Sequence, residues 1–433
     1  MKSFLKKNFY IVLILIITFD SFFSKKFKNN FISFTDDEEI ATLTSDNETE
    51  FLDAINELNN KGGTIYIDTP VISLKIRKSI SISGKFPGGI IGIRQPNGEY
   101  PRIDFMKGNY QQLYSGINIY SSNKFIEYII IENTPDNGIT IMGNNNILDH
   151  VISRYNFGSG FGIYGDFNTL NYCYAYRNYD LNTNLVTASG FHIYGETNNI
   201  FNYCFAWDNA NSGFNYIRFD NSSELSYLHS GSWNNGNVNV FTGKYDYDNG
   251  SPLDKNLWTI KEIMLSDPNF VSNYYNKKYN IDNAYLDGIT VKEWIAKITP
   301  KMDGNGFTFG NRNSSQSIEV KRNSLYCIAF DNKSGGFIDN YNHKYNAYIT
   351  NCVSFNNDIN YKLPYTFSKW VDNWSWNSKN KDLLNKVTTK IPSNTNTAQR
   401  SLYSVRDQIS KATAANMFPD NVNFDNAINN LKK

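Results

Sequence analysis

The feature that most restricts how this chain can fold is a short run of residues written again and again between Asn137 and Asn357. Copies read SGFGIYGDFNTLNYCYAYRN from Ser159, SGFHIYGETNNIFNYCFAWDN from Ser189, and SGFNYIRFDN from Ser212, the last continuing to SGSWNN at Ser230–Asn235. An earlier copy, NGITIMGNNNILDHVISRYN, starts at Asn137, and two later ones open with NGFTFG at Asn305 and GGFIDNYNH at Gly335. The anchoring glycines Gly138, Gly160, Gly190, Gly213, Gly306 and Gly336 are 22, 30, 23, 93 and 30 residues apart. Each copy alternates apolar and polar residues with period two, turns through polar residues, and alternates again, so it is strand rather than helix. A unit of this size cannot bury its apolar face alone, whereas stacked units share one continuous core. The expected fold is all-β, a parallel β-helix, with a right-handed coil as the fold-level expectation.

Two columns of the aligned copies fit stacking. Cys173, Cys204, Cys327 and Cys352, all four cysteines of the chain, hold one place, with Val151 and Ser230 there in two other copies. Repetition at one position reads as small thiols packed in the core, with disulfides between neighbouring rungs as the alternative. Asn178, Asn209, Asn235, Asn332 and Asn357 form the second column. Asparagine there tolerates an unusual turn conformation and bonds its amide to the same residue one rung away.

Around this core the chain divides into segments. Residues 1–28 carry Lys2, Lys6 and Lys7 before the apolar run Phe9 to Phe19, too short to span a bilayer and suited to a secretory signal, with an uncleaved anchor as the alternative. Six Asn-x-Ser/Thr sequons, at Asn47, Asn221, Asn249, Asn313, Asn332 and Asn373, lean toward secretion. A helix over 46–60 is expected from the Ser45/Glu48 capping box, with Phe51, Leu52, Ile55 and Leu58 on the face that closes the open end of the solenoid. The β-helix domain is expected over 40–360. An insertion at 236–303 interrupts it and is placed to wall one side of a groove; residues 361–433 read as a capping tail with a short helical pattern from Ser401 to Phe418.

With a net charge of +1, bulk electrostatics point neither to nucleic acid nor, once a signal is removed, to a membrane surface. Thirty Tyr, thirty Phe and seven Trp exceed what the core requires, and aromatics on a flat sheet suit sugar rings. The expected partner is a polysaccharide, bound by a monomer. No His spacing among His150, His192, His229 and His343 marks a transition-metal site.

The runs NNILDHVISRYN, NYCYAYRNYDLN, ASGFHIYG, AWDNANSGFN, GNGFTFG and CIAFDNKSGGF resemble successive rungs of polysaccharide lyase family 9, the pectate-lyase-type β-helix enzymes, over about Gly116 to Asn360. The resemblance implies β-elimination of a uronic-acid-containing plant polysaccharide, with calcium held by four aspartates and a lysine as base. The calcium positions fall on Ser189, Asn211, Ser212 and Asn215, and the base falls on Thr308; all five differ from the family, while Asp180 is retained. Calcium wants several carboxylate oxygens, and these residues offer neutral ones; a threonine hydroxyl cannot serve as the base. No cofactor is therefore expected.

A metal-free elimination in the same groove needs a group to quiet the uronate carboxylate and another to take the proton. Phe161, Ile163, Phe191 and Ile193 should face inward, which turns Tyr164, His192, Tyr194, Asn215 and Thr308 outward to solvent. His192 or Tyr194 is the candidate base, Asn215 or Asn211 with Arg218 the candidate carboxylate partner, and Tyr164, Asn211 and Thr308 candidate substrate contacts. A hydrolytic acid pair drawn from Asp180, Asp208 and Asp220 is a further alternative. The competing class of function is a carbohydrate-binding or surface-structural β-helix that keeps the groove without the chemistry.

Overall fold

A computed structural model of the chain describes residues 38–75, 78–105, 115–156, 158–178, 188–194, 198–217, 224–236, 303–310, 321–339, 346–364, 367–419, 422 and 424–432. The leader 1–28 and the body of the insertion, 237–302, lie outside the described residues, as do Arg218, Asp180 and Asp220. No helix among the described residues is long and apolar enough to cross a membrane.

Strands from successive copies pair in parallel and in register, giving the expected β-helix. One face is a ten-stranded sheet running from Ile80–Ile82 to Leu383–Leu384. The other two faces use separate strands in the first rungs, as in Gly88–Gly92 and Arg102–Asp104, and are continuous with one another at Lys124–Glu132 and Ile147–Arg154, which each run through both. From the next rung on the strand breaks in two, as in Thr169–Asn171 and Tyr174–Tyr176. The corner between them is a single left-handed residue, Tyr172 at φ 48°.

The core is a set of like-on-like columns. On the ten-stranded sheet Ile80, Ile117 and Ile139 give way to Phe161, Phe191, Phe214, Phe307 and Phe337, whose rings stack 4.8, 4.6, 4.6 and 5.0 Å apart. Cys173, Cys204, Cys327 and Cys352 are fully buried, free and inside. Ala175, Ala206 and Ala329 share that core, so the aromatics between them, Tyr174, Tyr176, Phe205 and Trp207, face out of the solenoid.

The asparagine column is a hydrogen-bond ladder. Asn178 Nδ2 donates to Asn209 Oδ1 (2.9 Å), Asn209 to Asn235 (3.0 Å), Asn235 to Asn332 (2.9 Å) and Asn332 to Asn357 (3.1 Å). Each Oδ1 also accepts the backbone N–H of the asparagine one rung back, as in Asn209 N to Asn235 Oδ1 at 3.1 Å. The unusual turn conformation expected of these asparagines belongs instead to the residues before them: Arg177, Asp208, Asn234, Asp331 and Asn356 all have φ between 52° and 56°. A left-handed residue there swings the following amide inward to meet its neighbour. The anchoring glycines are explained by close approach rather than by φ: a Cβ on Gly190 would lie 2.6 Å from Ala206 Cβ and 2.7 Å from Gly213 O. Two sequons fall on buried asparagines: Asn332 is in the ladder, and Asn373 Oδ1 accepts from Cys352 N, so neither reads as a glycan site in the folded chain.

The N-terminal helix spans Glu48–Lys61 and buries Phe51, Ala54, Ile55 and Leu58, while Leu52 is partly buried against the same core. Its cap is Asn47, not Ser45: Asn47 Oδ1 accepts from Thr49 N and Glu50 N. Glu48, expected to complete a capping box, instead accepts from Lys75 N at 2.8 Å and ties the helix to the chain beyond the next strand. At the other end the solenoid runs past 360, with strands Ile359–Leu363, Phe367–Val371, Trp374–Trp376 and Leu383–Leu384. The first part of the tail, to Leu384, therefore continues the solenoid, and Lys390 pairs with Trp374 of the strand Trp374–Trp376. The tail's helix, Thr395–Ala414, buries Ala398, Leu402, Val405 and Ile409 against the outward aromatics Tyr176, Trp207, Trp233, Phe330, Phe355 and Trp376. Arg154 fastens the helix end, donating to Thr413 O (3.1 Å) and Asn416 Oδ1 (2.7 Å) while Glu132 holds its Nε at 2.7 Å.

Two outcomes test this architecture. Asn209→Ala strips the ladder of one acceptor and two donors in the interior and is expected to cost about 3 kcal/mol, read as a lowered thermal midpoint. Leu402→Asp places a charge under the docked helix; tryptophan emission should shift to the red as Trp207, Trp233 and Trp376 meet water.

Candidate functional site

The outward columns of the ten-stranded sheet are fixed by strand parity and register. His192 pairs with Asn215 on one side and Gly162 on the other, and Thr308 lies on the rung after Asn215, since Phe214 pairs with Phe307. Rungs so paired are about 4.8 Å apart.

These positions do not face open solvent as the sequence pattern predicts. His192 is 4% exposed, Asn215 7% and Thr308 fully buried. Part of the cover comes from the next outward position on the same strand: Tyr194 lays its ring against the His192 imidazole, centroids 4.2 Å apart at 27°. Tyr164 in turn stacks on Tyr194, 4.1 Å away at 11°. The result is a three-ring stack, Tyr164–Tyr194–His192, built from adjacent rungs.

Burial lowers the His192 pKa to about 4, so the ring is neutral near pH 7, and its Nε2 meets no hydrogen-bond partner. The phenols move the other way. Burial, then the neighbouring hydroxyl of Tyr194, then Asp136 push Tyr164 up, and burial also raises Tyr194. A phenol so raised stays protonated near pH 7, so of the two candidate bases only the His192 ring carries a free lone pair at that pH.

Thr308 is not open to a substrate. Its Oγ1 accepts the Tyr216 N–H at 2.8 Å, which leaves its own proton to donate to Asn215 Oδ1 at 3.3 Å. The Asn215 amide is thereby oriented, oxygen toward Thr308 and Nδ2 available to an acceptor. Asn211 is buried, its N–H donating to Ala188 O. Arg218 lies outside the described residues. Asp208 belongs to a turn beyond Phe205–Trp207, on another face, and does not join this site.

The four positions that the family resemblance assigns to calcium carry no carboxylate. Ser189, Asn211, Ser212 and Asn215 supply only neutral oxygens where calcium prefers carboxylates. Ser189 Oγ and Ser212 Oγ are buried without partners, and among the described residues no three His, Cys, Asp or Glu side chains converge.

Two features escaped the sequence reading. Asp136 is half-buried at the turn into Ile139–Ile141, its carboxyl raised by desolvation and linked through Ser115 (3.4 Å) to Thr140 (2.9 Å). Its PDNG setting reads as an ordinary turn. Arg322 lies inside the solenoid, its guanidinium 4.3 Å from the Tyr216 ring centroid and 1% exposed. Aligning Cys327 with Ser230 puts Arg322 in the inward column of Leu225, a signal the sequence does contain.

The depressed His192 pKa makes a pH prediction. The unfolded chain, with the ordinary value of 6.5, binds the proton that the folded site rejects, so stability is fully present above pH 6.5 and falls as the pH drops toward 4. The loss amounts to about 3 kcal/mol. The wild-type thermal midpoint should fall more steeply across that window than that of His192→Gln.

Comparison with known proteins agrees with the fold. Among solved structures, pectate lyase Pel9A superposes with a TM-score of 0.53 at 18% identity, covering 83% of this chain and 81% of that one. A rhamnogalacturonan lyase superposes with a TM-score of 0.50 at 15% identity, covering 82% and 86%. At these identities the likeness is one of fold. No curated protein matches the chain in sequence. The sequence model of the Pel9A-like right-handed β-helix region matches residues 31–251, more than half of the 433 residues, and the chain belongs to that Pel9A-like β-helix family.

Proposed function

We propose that this protein is secreted and acts on a uronic-acid-containing plant cell-wall polysaccharide along the outer face of the ten-stranded sheet, by β-elimination without calcium. The carrying observation is the pairing of a neutral, unpartnered His192 Nε2 with Asn215, whose amide Thr308 orients, on the adjacent rung. Membership of a β-helix family and a fold shared with a pectate lyase and a rhamnogalacturonan lyase support a polysaccharide ligand.

Asn215 Nδ2 hydrogen-bonds the uronate carboxylate and spreads its charge, which acidifies the proton on C5. His192 Nε2 takes that proton, the electron pair forms the C4–C5 double bond, and the C4–O bond to the leaving sugar breaks. The Tyr164–Tyr194 pair, kept protonated by burial, returns a proton to the leaving oxygen. Tyr194 covers the imidazole, so substrate entry moves it aside.

One observation favours the second reading, a binder without chemistry. A base held down to about 4 is weak, and its nitrogen is shielded from water.

Ultraviolet absorbance of the conjugated product separates the two. With polygalacturonate and a panel of other uronans, the absorbance should rise equally with calcium and with chelator. His192→Ala should slow the rise by about 100-fold or more. Thr308→Val, which frees the Asn215 amide to turn, should slow it less. A rise that requires calcium would overturn the metal-free site, and binding without any rise would leave the protein a carbohydrate binder.

A further inference from the structure

The helix Thr395–Ala414 covers the outward aromatics of another face without sealing them. Tyr176, Trp207, Trp233, Phe330, Phe355 and Trp376 form a ladder with centroids 4.4, 5.1, 5.6, 4.9 and 4.5 Å apart. Between the first three of these and the helix residues Arg406, Ser410 and Ala414 there remains a cavity of about 630 Å³. That volume lies within the range of small-ligand sites.

The chemistry of the cavity is set by the left-handed turn residues, one per rung, whose side chains form a row beside it. Arg177, Asp208, Asn234, Asp331 and Asn356 occupy successive rungs about 4.8 Å apart. Asp208 accepts from Asn234 Nδ2 at 2.9 Å and sits 3.6 Å from Arg177 Nε; Asp331 accepts from Asn356 Nδ2 at 3.0 Å and sits 3.9 Å from Arg406 Nη1. Both arginine contacts are long for a forked pair, so neither carboxylate takes the planar, two-point contact that guanidinium favours. Arg406 is braced flat on the Tyr403 ring, 4.3 Å from its centroid, with Asp407 2.8 Å away. Lys333 and Lys379 also line the cavity, so four cations and two carboxylates line it, with Asp407 on Arg406 and Asp303 near Lys333 just outside.

The ladder rings stack on one another, so they present edges rather than faces to the cavity, and a ligand here is held by charge and hydrogen bonds instead of by ring stacking. A simple inorganic anion would use the cations but be repelled by Asp208 and Asp331. A sugar acid uses both sets: its carboxylate meets the cations and its hydroxyls donate to the aspartates. We propose that this cavity is a second saccharide site, one that takes a carboxylate-bearing pyranose with Arg177 and Arg406 on the carboxylate and Asp208 and Asp331 on the hydroxyls. The choice of a uronate as ligand rests on the polysaccharide proposed above; the cavity itself is on a different face from His192 and independent of any chemistry there.

Titration calorimetry of the full chain with trigalacturonate tests it. In the Arg177→Gln/Arg406→Gln variant one binding event should weaken by about 10-fold or more, taking the stoichiometry from two to one, or from one to none where the His192 groove does not bind. Because that double change also removes partners of Asp208 and Asp331, Ser410→Trp, which fills the cavity without altering charge, and Lys379→Glu, at an exposed position, serve as folded controls and should each weaken the same event. His192→Ala should leave it unchanged, so failure of the elimination reading and failure of this one are separable. Unaltered stoichiometry and affinity in the cavity variants, equal binding of neutral trigalactose, or displacement by inorganic phosphate at equal affinity would each overturn the assignment.

Discussion

Everything in this molecule depends on one constraint: a rung satisfies its polar groups with the rung beside it. In the ladder from Asn178 to Asn357, each buried amide donates to the equivalent amide one step along and accepts from the one a step behind. An unpaired amide in such a place is costly, so the column is self-enforcing. The same in-register contact dictates the phenylalanine stack and the closeness that makes Gly190 a glycine. At another corner Asn146, Asn168 and Asn199 make the backbone half of this pattern: the Asn146 N–H donates to Asn168 Oδ1 and the Asn168 N–H to Asn199 Oδ1, while the Nδ2 groups of Asn146 and Asn168 find no partner.

That constraint separates scaffold from chemistry. Inward columns and corners are fixed by stacking, while the outward columns of the ten-stranded sheet are free to change. Neutral Ser189, Asn211, Ser212 and Asn215 replace the carboxylates implied by the family resemblance at no cost to the rungs, because clustered carboxylates without a cation would repel one another. What stands there instead is a dry assembly of a neutral imidazole, two protonated phenols and an oriented amide. Burial keeps the imidazole neutral and both phenols protonated.

The outward aromatics of the opposite side raise the problem that any solenoid meets, a large apolar surface that the coil cannot bury by itself. The chain solves it with the helix Thr395–Ala414, returned from the far end of the sequence and pinned by Arg154. Tyr203 and His229, which belong to a further stack of rings at a corner, are held by Asp425 beyond that helix. The cover is polar where it meets the turn residues, and the cavity lies at that seam.

Repetition made much of this legible without coordinates. Spacing of the glycines gave the β-helix; the cysteine column and the alternation around Phe161 and Phe191 gave the inward residues; register put His192 beside Asn215. These follow because a column is a local pattern repeated, and local patterns are what a sequence displays. The tie from Lys75 N to Glu48, the stacking of Tyr164 on Tyr194 and the docking of residues 395–414 across the aromatic ladder were decided by the tertiary structure alone. Each depends on which surface arrives next to a residue from elsewhere in space, and it is that arrival, by excluding water, which sets burial, protonation and the shape of both candidate sites.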